Sequence, residues 1–143
     1  NSLALDTLLI GALVSLISAL LYRDGLSFFT EFRWTPRAIV AGVAYYAYFF
    51  RQLVRSNLRL AAIVVSPSLP IEPGILKIRT GLKSRMGRLM LANSITLTPG
   101  TLTVEVDGEW LYVHCVTTQE LDTEAATREI AAGFERYLEV MYG

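Results

Sequence analysis

The 143-residue sequence predicts a membrane protein in two parts: N-terminal transmembrane or interfacial α-helices, then a small α+β, ferredoxin-like cytoplasmic domain of order β-α-β-β-α. Three observations predict it. The chain is 52% hydrophobic and only 18% charged, with mean hydropathy +0.41, whereas soluble chains run at about 45–50% apolar and about 25% charged. The apolar surplus is concentrated in charge-poor runs of the N-terminal half. Beyond the prolines at 67, 70 and 73, the hydrophobic pattern changes to the short alternating and helical periods of a folded domain.

Residues 1–22 form the first segment. Leu3 to Leu21 carries one charge, Asp6, and as a helix it extends roughly 28 Å, close to the thickness of a bilayer core. Tyr22 and Arg23 close it with an aromatic ring and a cation. No basic stretch precedes the run, so it does not read as a cleaved signal. Residues 23–35 read as an interfacial loop, where Phe28, Phe29, Phe32 and Trp34 mix with Asp24, Glu31 and Arg33. Thr35 then caps a helix that has Pro36 at its first position.

The helix of residues 36–66 has an apolar start, Ala38 to Phe50, followed by a basic end. Arg51, Arg55 and Arg59 recur every four residues and so make one stripe, the candidate membrane-surface contact. The helix either spans the bilayer with its Arg end emerging or lies along the interface with the stripe toward headgroups. Tyr45, Tyr46, Tyr48, Phe49 and Phe50 are expected to form an interfacial aromatic belt. Residues 67–74 are a Pro-rich linker.

In the domain of residues 75–143, Ile75 to Arg79 suits a strand, and roughly 83 to 94 a helix with Leu82, Met86, Leu89 and Met90 on one side. Pro99 and Gly100 supply a turn. Thr101 to Val106 alternates, Asp107-Gly108 signals a hairpin, and Trp110 to Val116 follows as a strand with Leu111, Val113 and Cys115 on one face. Asp122 caps a last helix whose stripe is Ala126, Ile130, Phe134, Leu138 and Met141.

Net charge is zero, but its distribution is polar. Arg51 to Arg88 contains eight cations against Glu72, a local +7, while Thr101 onward carries −7. A basic middle beside apolar runs suits an anionic membrane surface rather than nucleic acid. Cys115 and His114 are the only residues of their types, which excludes a disulfide within the chain and the common zinc patterns. Phosphate-loop, dinucleotide, HExxH and nucleophile-elbow motifs are all absent, so neither an enzyme nor a cofactor is expected, and no catalytic or metal residue is named. Asp6 alone does not make an ion path, which needs a series of polar stations.

The segment Leu91-Ala92-Asn93-Ser94-Ile95-Thr96-Leu97-Thr98-Pro99-Gly100-Thr101-Leu102-Thr103-Val104, with Leu111-Tyr112-Val113-His114 after it, resembles the E-type component of Mrp-type (Mnh) multisubunit sodium/proton antiporters. Ser56-Asn57-Leu58-Arg59 and Pro73-Gly74-Ile75 extend the likeness in the same order. The resemblance implies an accessory, non-catalytic subunit of a bacterial plasma-membrane complex that exchanges Na⁺ for H⁺. Such a subunit serves assembly or stability, and its polar domain is cytoplasmic. Its partners are the other antiporter subunits and the lipid bilayer. The resemblance also implies a further apolar stretch ahead of Leu3. Asn93, Thr96, Thr98, Pro99, Gly100 and Thr101 become a candidate packing or docking motif, the alternative being a turn that only fixes backbone geometry. The rival function is a free-standing membrane-anchored module that binds lipid or a soluble protein through the basic region.

Overall fold

The computed structural model describes residues 5–22, 30–118 and 122–143. Two compact units are present, residues 1–32 and residues 33–143.

In the first unit, α1 (Leu5–Leu21) has 17 residues and a length of about 26 Å. Asp6 sits in its first turn, every side chain is exposed, and its large apolar residues cover all of the helix except one sector, where Thr7, Gly11, Ser15 and Ser18 fall. Ser15 folds its hydroxyl back onto the Gly11 carbonyl at 2.8 Å, so even this polar group is satisfied internally. Among the described residues, no helix is long and apolar enough to cross a membrane. Residues 23–29, most of the predicted interfacial loop, lie outside the described residues, as does Leu3.

The second unit begins just before α2 (Pro36–Val65). Thr35 is the N-cap, its hydroxyl accepting from the Ala38 N–H at 3.1 Å, and Pro36 fills the position whose N–H has no helical partner. Ser66 and Pro67 end the helix. Ala38, Tyr45, Tyr48, Phe49, Gln52, Ser56, Leu60 and Ile63 are buried or half-buried. They recur at three- and four-residue intervals, so a single stripe of the helix faces the rest of the unit.

Three strands follow: β1 (Gly74–Arg79), β2 (Thr101–Asp107) and β3 (Trp110–Cys115). The sheet order is β1-β3-β2, with both pairings antiparallel. Gly108 and Glu109 make the hairpin loop between β2 and β3, and φ of +57° at Gly108 is the conformation a tight hairpin asks of its first loop residue. Between β1 and β2, α3 (Arg85–Leu97) is capped by the Ser84 hydroxyl, which accepts from the Gly87 N–H at 2.9 Å. The C-terminal run comprises α4 (Thr123–Ala126), a π-helical turn (Thr127–Ala131) and α5 (Ala132–Tyr142). The π turn has a packing reason. Ala126 and Ala131, both fully buried, are five residues apart, and a turn widened to i→i+5 keeps them on one face.

The observed order is therefore β-α-β-β-α, as expected, with the helices on one sheet face. The core lies between them: Ile78, Leu111, Val113 and Cys115 from the sheet, Leu91 and Ile95 from α3, and Phe134, Leu138 and Met141 from α5. Each of these larger side chains contributes about 1.5–3 kcal/mol by leaving water. The register places Thr101 opposite Cys115 and Thr103 opposite Val113, which turns those threonines inward and Leu102 outward. A bulge between Thr103 and Glu105 then brings Val106 opposite Leu111.

The aromatic-belt expectation is corrected in part. Tyr45 is buried, and the rings of Tyr45, Tyr48 and Phe49 lie 6.3, 5.0 and 6.5 Å from that of Phe134 on α5. These three positions fall on the inward stripe of α2 and form an intramolecular cluster with edge-on and tilted contacts. Tyr46 and Phe50, on the opposite side of the helix, are exposed.

Candidate functional site

Six of the nine candidate residues singled out in the sequence meet at one place. The Thr98-Pro99-Gly100-Thr101 turn, the second half of α2 and the end of β3 enclose a cleft of about 230 Å³. Arg55 and Arg59 line one side of it, with Gln52 and Ser56 from the same helix. Thr98, Pro99, Gly100 and Thr101 line the other, while Cys115, Thr117, Glu129 and Phe134 complete the wall. Arg51, Asn93 and Thr96 are not part of it. Arg51 lies with Phe50, Val54, Arg55 and Leu58 along a shallow groove on α2, and Asn93 and Thr96 are exposed on α3.

The threonine-rich turn is built from the unmet needs of a helix end. The last carbonyls of a helix have no partner within it. Here the Thr98 hydroxyl donates to the Ser94 carbonyl at 2.8 Å, and the Thr101 hydroxyl reaches the Ile95 and Thr98 carbonyls at 2.6 and 2.8 Å. The Thr96 hydroxyl accepts from the Thr103 N–H at 3.1 Å, fastening α3 to the edge of β2. Gly100, at φ +95°, takes a backbone conformation that side chains strain, and its carbonyl accepts from the Val116 N–H at 2.9 Å. The hydroxyls of Thr96, Thr98 and Thr101 are thus used inside the fold, and the turn sets the wall of the cleft.

Electrostatically the cleft is positive. Arg59 and Glu129 approach to 3.6 Å with both side chains largely exposed, a pairing worth at most about 1 kcal/mol. The other ion pair among the described residues joins Arg79 to Glu109 on the sheet, leaving Arg51 and Arg55 without a carboxylate partner there. The Cys115 thiol is pushed above its ordinary value by burial and, secondarily, by the negative charge of Glu129, so it is a neutral core group. The Thr117 hydroxyl oxygen is buried and has no protein partner. Among the described residues, no group of three His, Cys, Asp or Glu is placed to hold a metal ion.

Sequence reasoning missed the roles of Glu129, Thr117 and Ser94. Ser94 is buried and hydrogen-bonds to the Tyr45 hydroxyl, tying α3 to α2. The signal for it was a serine on the apolar face of a helix, which asks for a polar partner across the core. Glu129 and Thr117 gain their places only through the packing of the C-terminal run.

This arrangement has relatives. Residues 1–141 match the family described as Na+/H+ ion antiporter subunit. The E-type Na(+)/H(+) antiporter component of Alkalihalophilus pseudofirmus (strain ATCC BAA-2126 / JCM 17055 / OF4) is 33% identical over 138 residues, 95% of this chain and 84% of that protein. Its namesake in Bacillus subtilis (strain 168) is 36% identical over 93 residues, 64% of this chain and 58% of that one. Among solved structures, a chain of the membrane-bound sulfane sulfur reductase (MBS), an archaeal respiratory membrane complex, is 37% identical. It superposes with a TM-score of 0.74, over 97% of this chain and 86% of its own. Family match, near-full-length relatedness and shared fold agree with the motif of residues 91–104, and the chain belongs to the Na+/H+ ion antiporter subunit family.

Proposed function

We propose that this chain is an accessory, non-enzymatic subunit of a multisubunit Na⁺/H⁺ antiporter in a bacterial cell membrane, serving assembly or stability and not forming the ion path. The observation that carries the proposal is α1. A helix whose leucines, isoleucines and valines cover about two thirds of its circumference, with every side chain exposed, cannot be covered by water at low cost and needs lipid or neighbouring helices around it. In this reading the apolar segment that contains α1 is the part of the chain that enters the membrane. The +7 region from Arg51 to Arg88 favours the cytoplasmic side for the α+β unit, because basic segments are retained there.

Two further points support it. The described part of α1 holds one carboxylate, Asp6, near its end, and α2 presents arginines without acids, which is not a chain of proton or sodium stations. A chain of the same fold occurs in a complex named as a sulfane sulfur reductase. A fold shared by assemblies of different chemistry is suited to a role on which neither chemistry depends.

The test is purification of the tagged full-length chain from membranes in mild detergent, with mass identification of co-eluting chains, then reconstitution of the chain alone. Several membrane subunits should co-elute, and the lone chain should show no Na⁺-driven pH change in proteoliposomes. Sodium/proton exchange by the lone chain, or its elution without membrane partners, would refute the proposal.

A further inference from the structure

The helical angles of α2 separate three kinds of surface. Gln52, Ser56 and Ile63 face the unit's interior, while Phe50, Val54 and Leu58 lie toward the opposite side and are exposed by 59, 59 and 68%. Arg51, Arg55 and Arg59 run between the two sets. Arg55 consequently belongs to both concavities of this helix. It lines the polar cleft with Gln52, Ser56 and Arg59, and it borders the apolar groove formed with Phe50, Val54 and Leu58. A guanidinium with no carboxylate partner among the described residues, set between a polar recess and an apolar strip, matches one class of molecule: an anion joined to a hydrocarbon chain.

We propose that Arg55, assisted by Arg51 and Arg59, holds the phosphate of an anionic glycerophospholipid. Its headgroup enters the cleft beside the Thr98–Thr101 turn, and an acyl chain lies along Phe50, Val54 and Leu58. The guanidinium supplies paired N–H donors to phosphate oxygens, which a point charge does not. Long basic side chains on the border of an apolar face keep their stems on that face and their charges at headgroup level. The basic excess of the region favours an anionic over a zwitterionic lipid. This inference rests on the membrane reading of the chain and adds a defined lipid site to it.

The experiment is native mass spectrometry of the detergent-purified full-length chain, titrated with dioleoylphosphatidylglycerol, dioleoylphosphatidylcholine, glycerol 1-phosphate or inorganic phosphate. The wild type should retain one phosphatidylglycerol at least 5-fold more tightly than phosphatidylcholine. Arg55→Gln should lose about 10-fold in that affinity, Arg55→Lys should restore part of it, and Lys83→Gln, which removes the same charge elsewhere, should leave it unchanged. Val54→Asn should weaken phosphatidylglycerol without affecting the short glycerol phosphate. Far-UV circular dichroism on each variant verifies that the fold is kept. Equal retention of the two lipids, an unaffected Arg55→Gln, or inorganic phosphate displacing the lipid at equal concentration would overturn the assignment, the last pointing to a free-phosphate site. If the Arg55→Gln chain loses the lipid yet still co-elutes with its membrane partners, the lipid site is supported independently of assembly. If the wild type has no membrane partners but shows the lipid selectivity, assembly fails and the lipid site stands.

Discussion

The tightest point between α2 and α5 is Gly133, and substituting it by alanine tests the packing through a change of sign. A Cβ built there would overlap the Tyr48 phenol, reaching its hydroxyl and lying 2.5 Å from Cζ. The ring cannot simply swing aside, because its hydroxyl accepts from Gln52 Nε2 at 2.8 Å and its face meets Phe134 at 5.0 Å between centroids. Two effects oppose each other in Gly133→Ala. The helix gains about 1 kcal/mol from losing a glycine in its interior, and overpacking costs about 1–3 kcal/mol. The net is a destabilisation of up to about 2 kcal/mol. With Tyr48→Ala in place the obstruction is gone, and the same Gly133→Ala change should now stabilise by about 1 kcal/mol relative to the Tyr48→Ala parent. The coupling in this double-mutant cycle is therefore about 1–3 kcal/mol. Urea unfolding of the detergent-solubilised full-length chain, followed by near-UV circular dichroism, measures all four corners. If Gly133→Ala has the same effect in both backgrounds, α5 does not pack on α2 as described and the cluster around Phe134 is wrong.

Two further outcomes follow from the site. Cys115 is 3% exposed with its thiol held above the ordinary 9.0 by burial and by Glu129, so iodoacetamide should label the folded chain at pH 8 at least 10-fold more slowly than the urea-unfolded chain. Because an acid whose folded pKa is raised ionises first in the unfolded state, its stabilising effect is full below pH 9 and is lost as pH rises beyond it. Fast labelling of the folded chain at pH 8 would contradict the burial. Gly100→Ala places a side chain at φ +95° and should cost about 1–3 kcal/mol of backbone strain, read as a lower urea midpoint. Gly100→Asn should cost less, since asparagine tolerates positive φ, and an unchanged midpoint for alanine would show that the turn's conformation is not required.

Features that depend on near neighbours along the chain were legible in the sequence. Thr35-Pro36, the four-residue spacing of Arg51, Arg55 and Arg59, Asp107-Gly108 and Asp122 are local signals, and the α2 start, the Arg stripe, the hairpin and the last helix follow from them. The threonine motif stood out in the sequence as a candidate, but its spacing could not say whether it docks a partner or ends a helix. The structure shows those hydroxyls folding back onto the Ser94, Ile95 and Thr98 carbonyls at the end of α3, the last two of which also accept a backbone N–H.

Direction, by contrast, was settled by packing. The five aromatics of residues 45–50 look alike in a hydropathy pattern, yet the arrival of Phe134 takes Tyr45, Tyr48 and Phe49 inward and leaves Tyr46 and Phe50 outside. The alternation of β2 was visible, but the pairing of Thr101 with Cys115 chose which of its faces meets the helices. Both outcomes depend on contacts between residues far apart in the chain. A helix or strand specifies that it has a face, and the element packed against it specifies which face is covered.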